Sequence, residues 1–322
     1  MRAFVTGGSG FIGSHLIDAL IRDGWQVRAL SHRRSLLQAD RIEVLSGDIC
    51  DRAVLVEGLK RTDVVFHLAS ALGSTAISKG EFSRINAQGT AAVLEAASAR
   101  PVLRIIHVSS AGVLGAVRPG DIADESYPPR PASIYDWTKL EAEKMALRAA
   151  TEGMDIIVVR PGWAYGPRDR RTFKLIKTID KKKIILMPRG KARQTPVYVD
   201  DLVRGFLLAA QSGKKGEIYH LAGKEILTAG EIVEAIAAIC AKKRPPLFLP
   251  LFPAAVAALL LEKLYSPLMK EPPLNRSKLS FFSHSKPLSV QKAHKELGFS
   301  PLVDFHRGIS LTVTWYRDQG WL

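Results

Sequence analysis

The sequence is poor in the features that would commit it to several large classes. Its 322 residues include two cysteines, Cys50 and Cys240. Two thiols cannot build a disulfide framework, and neither stands in metal-ligand spacing. No apolar run reaches the ~20 residues that a membrane-spanning helix needs. The nearest is Pro245–Leu261, 17 uncharged residues punctuated by Pro245, Pro246, Pro250 and Pro253, which argue against one continuous helix. A helix that starts near Pro253, with the proline in its first turn, and runs to about Tyr265 is expected instead. The chain shows no internal repeat. Arg2–Thr6 is strand-like from the outset, without the basic and apolar regions of a secretory signal, so a cytoplasmic location is expected. With 47% hydrophobic and 24% charged residues, disordered and collagen-like classes are excluded.

What the sequence does have is positive charge. Lys and Arg number 46 against 31 Asp and Glu, a net +15. The excess is local: residues 1–167 carry +1, 168–193 carry +9, 194–241 carry −2, 242–295 carry +8, and the tail carries −1. No helix-turn-helix, zinc finger or base-stacking motif accompanies the two basic windows, so nucleic acid is not the expected partner. The second window brackets the apolar stretch. Leu247–Leu261 flanked by Lys242, Lys243, Arg244, Lys263 and Lys270 has the form of an interfacial anchor for an anionic membrane surface. A core helix or a dimer contact is the other reading of that segment.

The first half alternates short apolar runs with helical periodicity. Ala3–Thr6, Val27–Leu30, Ile42–Leu45, Val64–Leu68, Ile105–Val108 and Ile156–Val159 read as buried strands. Phe11–Ile21, Ala87–Ala97 and Tyr135–Ala150 read as helices. Continuous apolar strands alternating with helices predict a doubly wound parallel α/β sheet of the Rossmann type. Residues 1–167 would form this dinucleotide-binding domain. A helix over Asp200–Ala210 and a strand over Glu217–Leu221 would return to it, within 194–222. Residues 168–193 and 223–322 would form a smaller substrate lobe.

The first strand runs into Thr6-Gly7-Gly8-Ser9-Gly10-Phe11-Ile12-Gly13. Gly7 would allow the tight turn, Gly10 the approach of a pyrophosphate, and Gly13 close packing of the next helix. Phe11 and Ile12 open that helix, whose N-terminal N–H groups suit phosphate. Without its context the same pattern is an ordinary strand-to-helix turn. At the end of the second strand, Leu30-Ser31-His32-Arg33-Arg34 offers no carboxylate for a ribose 2′-OH. Arg33 and Arg34 could pair with a 2′-phosphate, which favours NADP over NAD unless they belong to a solvated loop. Asp48 could meet the adenine or cap the following helix.

Tyr135 and Lys139 are four residues apart, on one face of the expected helix. A nearby ammonium and a positive nicotinamide would lower a phenol whose ordinary pKa is about 10. Ser110 lies at the C-terminal end of a strand, where doubly wound sheets bind ligands. Alone, Tyr135 and Lys139 would be a surface pair; the glycine turn and the strand-end serine give them meaning. His67, His107 and His220 fall in strand-like runs, where structural roles are expected rather than metal ligation. Trp315, Tyr316 and Trp321 read as packing residues. Asn86 fits either a proton relay or a turn.

Taken in order, these motifs, with Gly47-Asp48, His67-Leu68-Ala69, Asn86 with Gly89-Thr90, Arg160-Pro161, Tyr165-Gly166-Pro167 and Val199-Asp200-Asp201, resemble the extended short-chain dehydrogenase/reductases over nearly the whole chain. The resemblance implies that Tyr135 is the acid/base, that Lys139 also holds the nicotinamide ribose, and that Ser110 rather than Ser109 positions the substrate. It implies that Asp48 and its neighbour Ile49 lie at the adenine and that Ala69 and Pro161 line the nicotinamide. It also suggests a homodimer. The C-terminal pattern, with Glu271-Pro272-Pro273-Leu274, Ser289–Gly298 and Trp315–Leu322, is similar to the 3β-hydroxysteroid dehydrogenase-like branch, whose substrates are lipophilic and alicyclic. Sugar-nucleotide members carry Asn where this chain has Trp163, and dehydratases carry an Asp-Glu pair where it has Ala111-Gly112. Three functions follow as alternatives: a lipophilic alcohol/ketone oxidoreductase, a sugar-nucleotide epimerase, and a non-catalytic cofactor-binding subunit.

Overall fold

A computed structural model describes residues 1–32, 36, 40–72, 77–98, 104–181, 190–241, 251–265 and 276–322. Arg33, Arg34 and residues 271–274 lie outside the described residues, as do 242–250 and 266–270, and so the start of the apolar segment and most of its flanking charges.

The strands β1 (Arg2–Thr6), β2 (Gln26–Ser31), β3 (Glu43–Ser46), β4 (Val64–His67), β5 (Arg104–Val108), β6 (Ile156–Pro161) and β10 (Ile218–Leu221) form one parallel sheet, ordered β10-β6-β5-β4-β1-β2-β3. The order reverses between β1 and β4, which opens a crevice beyond their C-terminal ends. Successive residues of a strand point to opposite faces, and here both faces are apolar. Val5, Phe66 and Ile106 meet α1 (Phe11–Arg22) and α7 (Val199–Ser212) on one side. Phe4, Val65 and Ile105 meet α2 (Arg52–Gly58), α4 (Gly89–Ser98) and α5 (Ile134–Thr151) on the other. This is a Rossmann-like α/β fold.

The sequence pattern and the structure differ at two places in this half. Ile42–Leu45 was expected to be buried, but β3 is the sheet's edge and is largely exposed. The helix expected over Ala87–Ala97 begins with a π turn, Arg84–Gln88, which follows α3 (Lys79–Ser83) and leads into α4. Such turns widen a helix locally and recur at functional sites.

The other strands are short: β7 (Trp163–Tyr165) pairs with β9 (Pro196–Tyr198), and β8 (Arg193–Gln194) with β11 (Leu227–Thr228). Around them pack α6 (Arg170–Asp180), α8 (Ala229–Ile239) and α12 (Phe305–Asp318), with a second core that includes Tyr165, Ile176, Ile232, Ile236, Ile309 and Tyr316. The Tyr316 hydroxyl donates to the Gly166 and Asp169 carbonyls, and its ring stacks on Trp321. Asp201 of α7 accepts the backbone N–H groups of Leu302 and Val303, fastening this core to the sheet's helix layer. The remaining helices are α9 (Leu251–Tyr265), α10 (Arg276–Ser283) and α11 (Gln291–Leu297). Pro253 stands in the first turn of α9, where its missing N–H leaves no intrahelical bond unmade.

Candidate active site

The turn from β1 into α1 is closed by glycine. Gly7 has φ +76°, and a Cβ there would stand 2.7 Å from the Ala69 nitrogen. A Cβ on Gly13 would stand 2.2 Å from the Gly7 carbonyl oxygen, so α1 lies as close to the turn as glycine permits. A Cβ on Gly10 would meet only that same oxygen, at 3.1 Å, and would otherwise project into open space. The Gly10 N–H donates to the Gly7 carbonyl at 3.0 Å, and no side chain caps the N-terminus of α1. A turn without side chains ahead of an uncapped helix end fits a pyrophosphate. Gly7, Gly10, Phe11, Ile12 and Gly13 are the residues that would hold it.

Beyond the third strand, Asp48 is engaged by its own chain. Arg84 donates from both terminal nitrogens to its two oxygens at 2.8 and 3.1 Å, the Cys50 N–H donates at 2.9 Å, and His32 stands 3.5 Å away. The Arg84 guanidinium holds the Asp48 carboxyl down at about 2. Asp48 does not cap the next helix; Asp51 does, accepting from Ala53 and Val54. Ile49 is buried against Gly89.

On α5 the N-cap Ser133 and Asp136 form a reciprocal capping box, which fixes the entry of the helix one residue before Tyr135. Burial pushes the Tyr135 phenol above its ordinary value, and the Arg171 guanidinium and the Ser110 and Ser70 hydroxyls oppose that push. Lys139 was expected to be the charge acting on the phenol. Its ammonium instead donates to the Val108 carbonyl at 2.7 Å, and burial draws it down to about 8. Ser109 and Ser110 separate clearly. The Ser109 hydroxyl donates to Glu143 at 2.6 Å, whereas Ser110 opens the short 3₁₀ turn Ala111–Leu114, accepts from the Gly112 N–H, and faces Tyr135.

Behind these residues the polar groups interlock. The Thr90 hydroxyl gives its proton to the Asn86 carbonyl, so it accepts from His67 Nε2; His67 Nδ1 then accepts from Thr6, whose oxygen accepts the Ala69 N–H. His67 is thus a neutral imidazole, held at about 3 by burial. Asn86 sits in the π turn and grips both backbone groups of Ala71 along with Ser70 and Thr138. Pro161 ends β6, in register with Leu221 of β10.

Sequence reading missed Ser70, Arg171 and Glu143. Glu143 had a signal: it lies four residues beyond Lys139, an acid between the buried Ala142 and Ala146. Ser70 comes from another element and carried none, and Arg171 carried only its place in the basic window 168–193.

The sequence profile of the NAD dependent epimerase/dehydratase family matches residues 3–222. The chain belongs to this family. A 4-hydroxy-2-methyl-3-oxo-4-farnesyl-3,4-dihydroquinoline-1-oxide ketoreductase from Stigmatella aurantiaca is 34% identical over 319 residues, 96% of this chain and 95% of that protein. A dTDP-glucose 4,6-dehydratase from Actinoplanes sp. is 32% identical over 352 residues, 100% of this chain and 99% of that protein. The solved structure of the dTDP-glucose 4,6-dehydratase DesIV from Streptomyces venezuelae, with NAD bound, superposes with a TM-score of 0.81 at 27% identity, covering 100% of this chain and 98% of that one. The protein is accordingly an enzyme, an NAD(P)-dependent oxidoreductase of the extended short-chain dehydrogenase/reductase type. For a member of the epimerase/dehydratase family, two positions stand out. A Cβ on Gly112 would fall 2.0 Å from Asp136 Oδ1, so the capping box closes that position to a carboxylate side chain. Trp163 packs into an aromatic group with Phe281, Tyr165 and Phe305, at 4.9 to 6.1 Å between ring centres.

Proposed function

We propose that the protein reduces a ketone, or oxidises the corresponding secondary alcohol, on a lipophilic alicyclic substrate, with NADP as coenzyme. The observation that carries this reading is the convergence of Ser110, from the end of β5, on the phenol of Tyr135, with Lys139 buried one turn further along α5. A bound nicotinamide would supply or take the hydride. The chain would do the rest. Ser110 orients the substrate oxygen. Tyr135 gives that oxygen a proton in reduction and removes it in oxidation. A phenol raised by burial is fully protonated at neutral pH, which suits the reductive direction. Lys139 would hold the nicotinamide ribose, Ala69 and Pro161 the nicotinamide side, and Asp48 and Ile49 the adenine. The carboxylate-free Ser31–Arg34, with Arg33 and Arg34, supports a 2′-phosphate and hence NADP.

Residues 168–193 and 223–322 would form the substrate lobe. Gly112 offers no acid for an elimination, and Trp163, packed on Phe281 and Phe305 of that lobe, offers no amide for a diphosphate. Both favour a simple oxidoreductase over a sugar-nucleotide epimerase or dehydratase. The compound in the name of the Stigmatella relative, a farnesyl-bearing 3-oxo-dihydroquinoline oxide, has the expected lipophilic character. The test is coenzyme consumption with lipophilic cyclic ketones, beside thermal protection by UDP- and dTDP-sugars. Ketone-dependent oxidation of NADPH without sugar-nucleotide protection is expected. Protection and conversion of a sugar nucleotide with no ketone reduction would overturn the assignment.

We propose further that the enzyme binds an anionic membrane surface through α9. Ala254 and Ala258 of α9 pack on Leu279 and Phe282, while Phe252, Val256, Leu259, Leu260 and Leu264 stand exposed on the rest of the helix. Phe252 is 80% exposed, and the surrounding sequence is basic. Among the described residues no helix is long and apolar enough to cross a membrane. Flotation with phosphatidylglycerol vesicles at low salt, abolished by Phe252→Glu with Leu260→Glu, is expected; no flotation of the unaltered protein would remove this proposal. A homodimer is the assembly proposed from the family resemblance, and Trp137, 57% exposed on α5, gives that helix an apolar contact surface.

A further inference from the structure

Glu143 lies one turn beyond Lys139 and two beyond Tyr135, so the three stand along one ridge of α5. Its side chain is 2% exposed and that of its partner Arg160, on β6, is 3% exposed. Arg160 donates to both carboxylate oxygens, at 2.6 and 3.0 Å, and the Ser109 hydroxyl adds a third bond at 2.6 Å. Ser109 is flanked by Val108, whose carbonyl receives the Lys139 ammonium, and by Ser110, which faces Tyr135. The carboxylate is therefore fixed in place from a neighbouring strand, directly behind the strand end that meets the substrate.

Stability is a weak reason for such an arrangement. A buried ion pair adds little over an apolar pair of similar volume, because both ions lose their hydration. The third charge supplies a better one. Lys139 is a buried ammonium, and burial favours its neutral form. His67 on β4 and His107 on β5 face it as neutral rings, and the Tyr135 phenol shares its helix face. Glu143 is the acidic group that opposes the desolvation of Lys139.

We propose that Glu143 is a positioning residue of the reaction centre: clamped by Arg160 and Ser109, its negative charge keeps Lys139 an ammonium bound to the Val108 carbonyl. The proposal rests on the reading of Tyr135 and Lys139 as the working pair, but its test needs no substrate, so the two can fail separately.

The experiment is a pH titration of lysine ε-13C signals in the full chain, with Lys139 assigned by its loss in Lys139→Met. In the unaltered protein Lys139 should titrate near pH 8. In Glu143→Gln, which keeps the size and an accepting oxygen, the midpoint should fall by about one unit or more. An unmoved midpoint in a folded Glu143→Gln protein would overturn the proposal, since a purely structural role lowers the melting temperature without moving the titration. If Glu143→Gln does not fold, Glu143→Asp decides. Its carboxylate is set back by one methylene, so a smaller downward shift is expected, and no shift overturns the proposal.

Discussion

The ammonium of Lys139 donates to the carbonyl of Val108 at 2.7 Å, joining α5 to the end of β5, just ahead of Ser109 and Ser110. The bond explains why an i,i+4 Tyr/Lys pair, so often solvent-exposed, is here turned into the protein. It also ties the charge of Lys139 to the geometry of Ser110. Lys139→Met should lower turnover by about 100-fold or more, the range associated with loss of acid–base assistance. The pH dependence has a definite sign. The lysine is protonated below about 8 and loses its charge as pH rises through that value. Ketone reduction should therefore hold steady toward neutral pH and decline above about 8, in a profile of kcat against pH for the unaltered enzyme.

The buried imidazoles make stability sensitive to acid. His67 and His220 are held at about 3 in the folded chain, against an ordinary 6.5, by burial first and then by Lys139 and Arg160 respectively. A depressed histidine favours the folded state fully above its unfolded pKa, and that advantage is lost as pH falls below it. Each ring costs about 1.4 kcal/mol per pH unit below 6.5, or roughly 2 kcal/mol at pH 5. Urea denaturation between pH 7 and 4.5 should show stability falling steadily with proton uptake on unfolding. His67→Gln should reduce that slope.

Two substitutions in the glycine turn should separate the proposed coenzyme binding from folding. Gly13→Ala drives a methyl into the Gly7 carbonyl and should destabilise the fold by about 1–3 kcal/mol. Gly10→Ala meets one atom at 3.1 Å and should leave the melting temperature nearly unchanged. Its methyl nonetheless occupies the space proposed for the pyrophosphate, so the Kd for NADPH should rise by tenfold or more. Calorimetric titration beside thermal melts distinguishes the two variants.

Much of this was legible in the sequence because it depends on local periodicity. The strands and helices of the parallel sheet, the glycine turn, and Tyr135 with Lys139 on one face each follow from spacing within one element. What escaped depends on partners far apart in the chain. Asp48 offered two readings, and its bonds to Arg84, 36 residues away, could not be deduced from either. The exposure of β3 follows from strand order, which no single strand encodes. The upward push on Tyr135 comes from burial by several elements together. Glu143 lies between these cases: its position on α5 was readable, but Arg160 and Ser109, which give it purpose, meet it only in the folded molecule.

Tyr135 is proposed to move the substrate proton while other residues hold the coenzyme. The most direct measurement is Tyr135→Phe, assayed in parallel for NADPH binding by fluorescence titration and for ketone-dependent NADPH oxidation. Coenzyme affinity within about threefold of the unaltered enzyme, with turnover reduced by about 100-fold or more, is the expected result. Near-normal turnover in this variant would show that another group moves the proton.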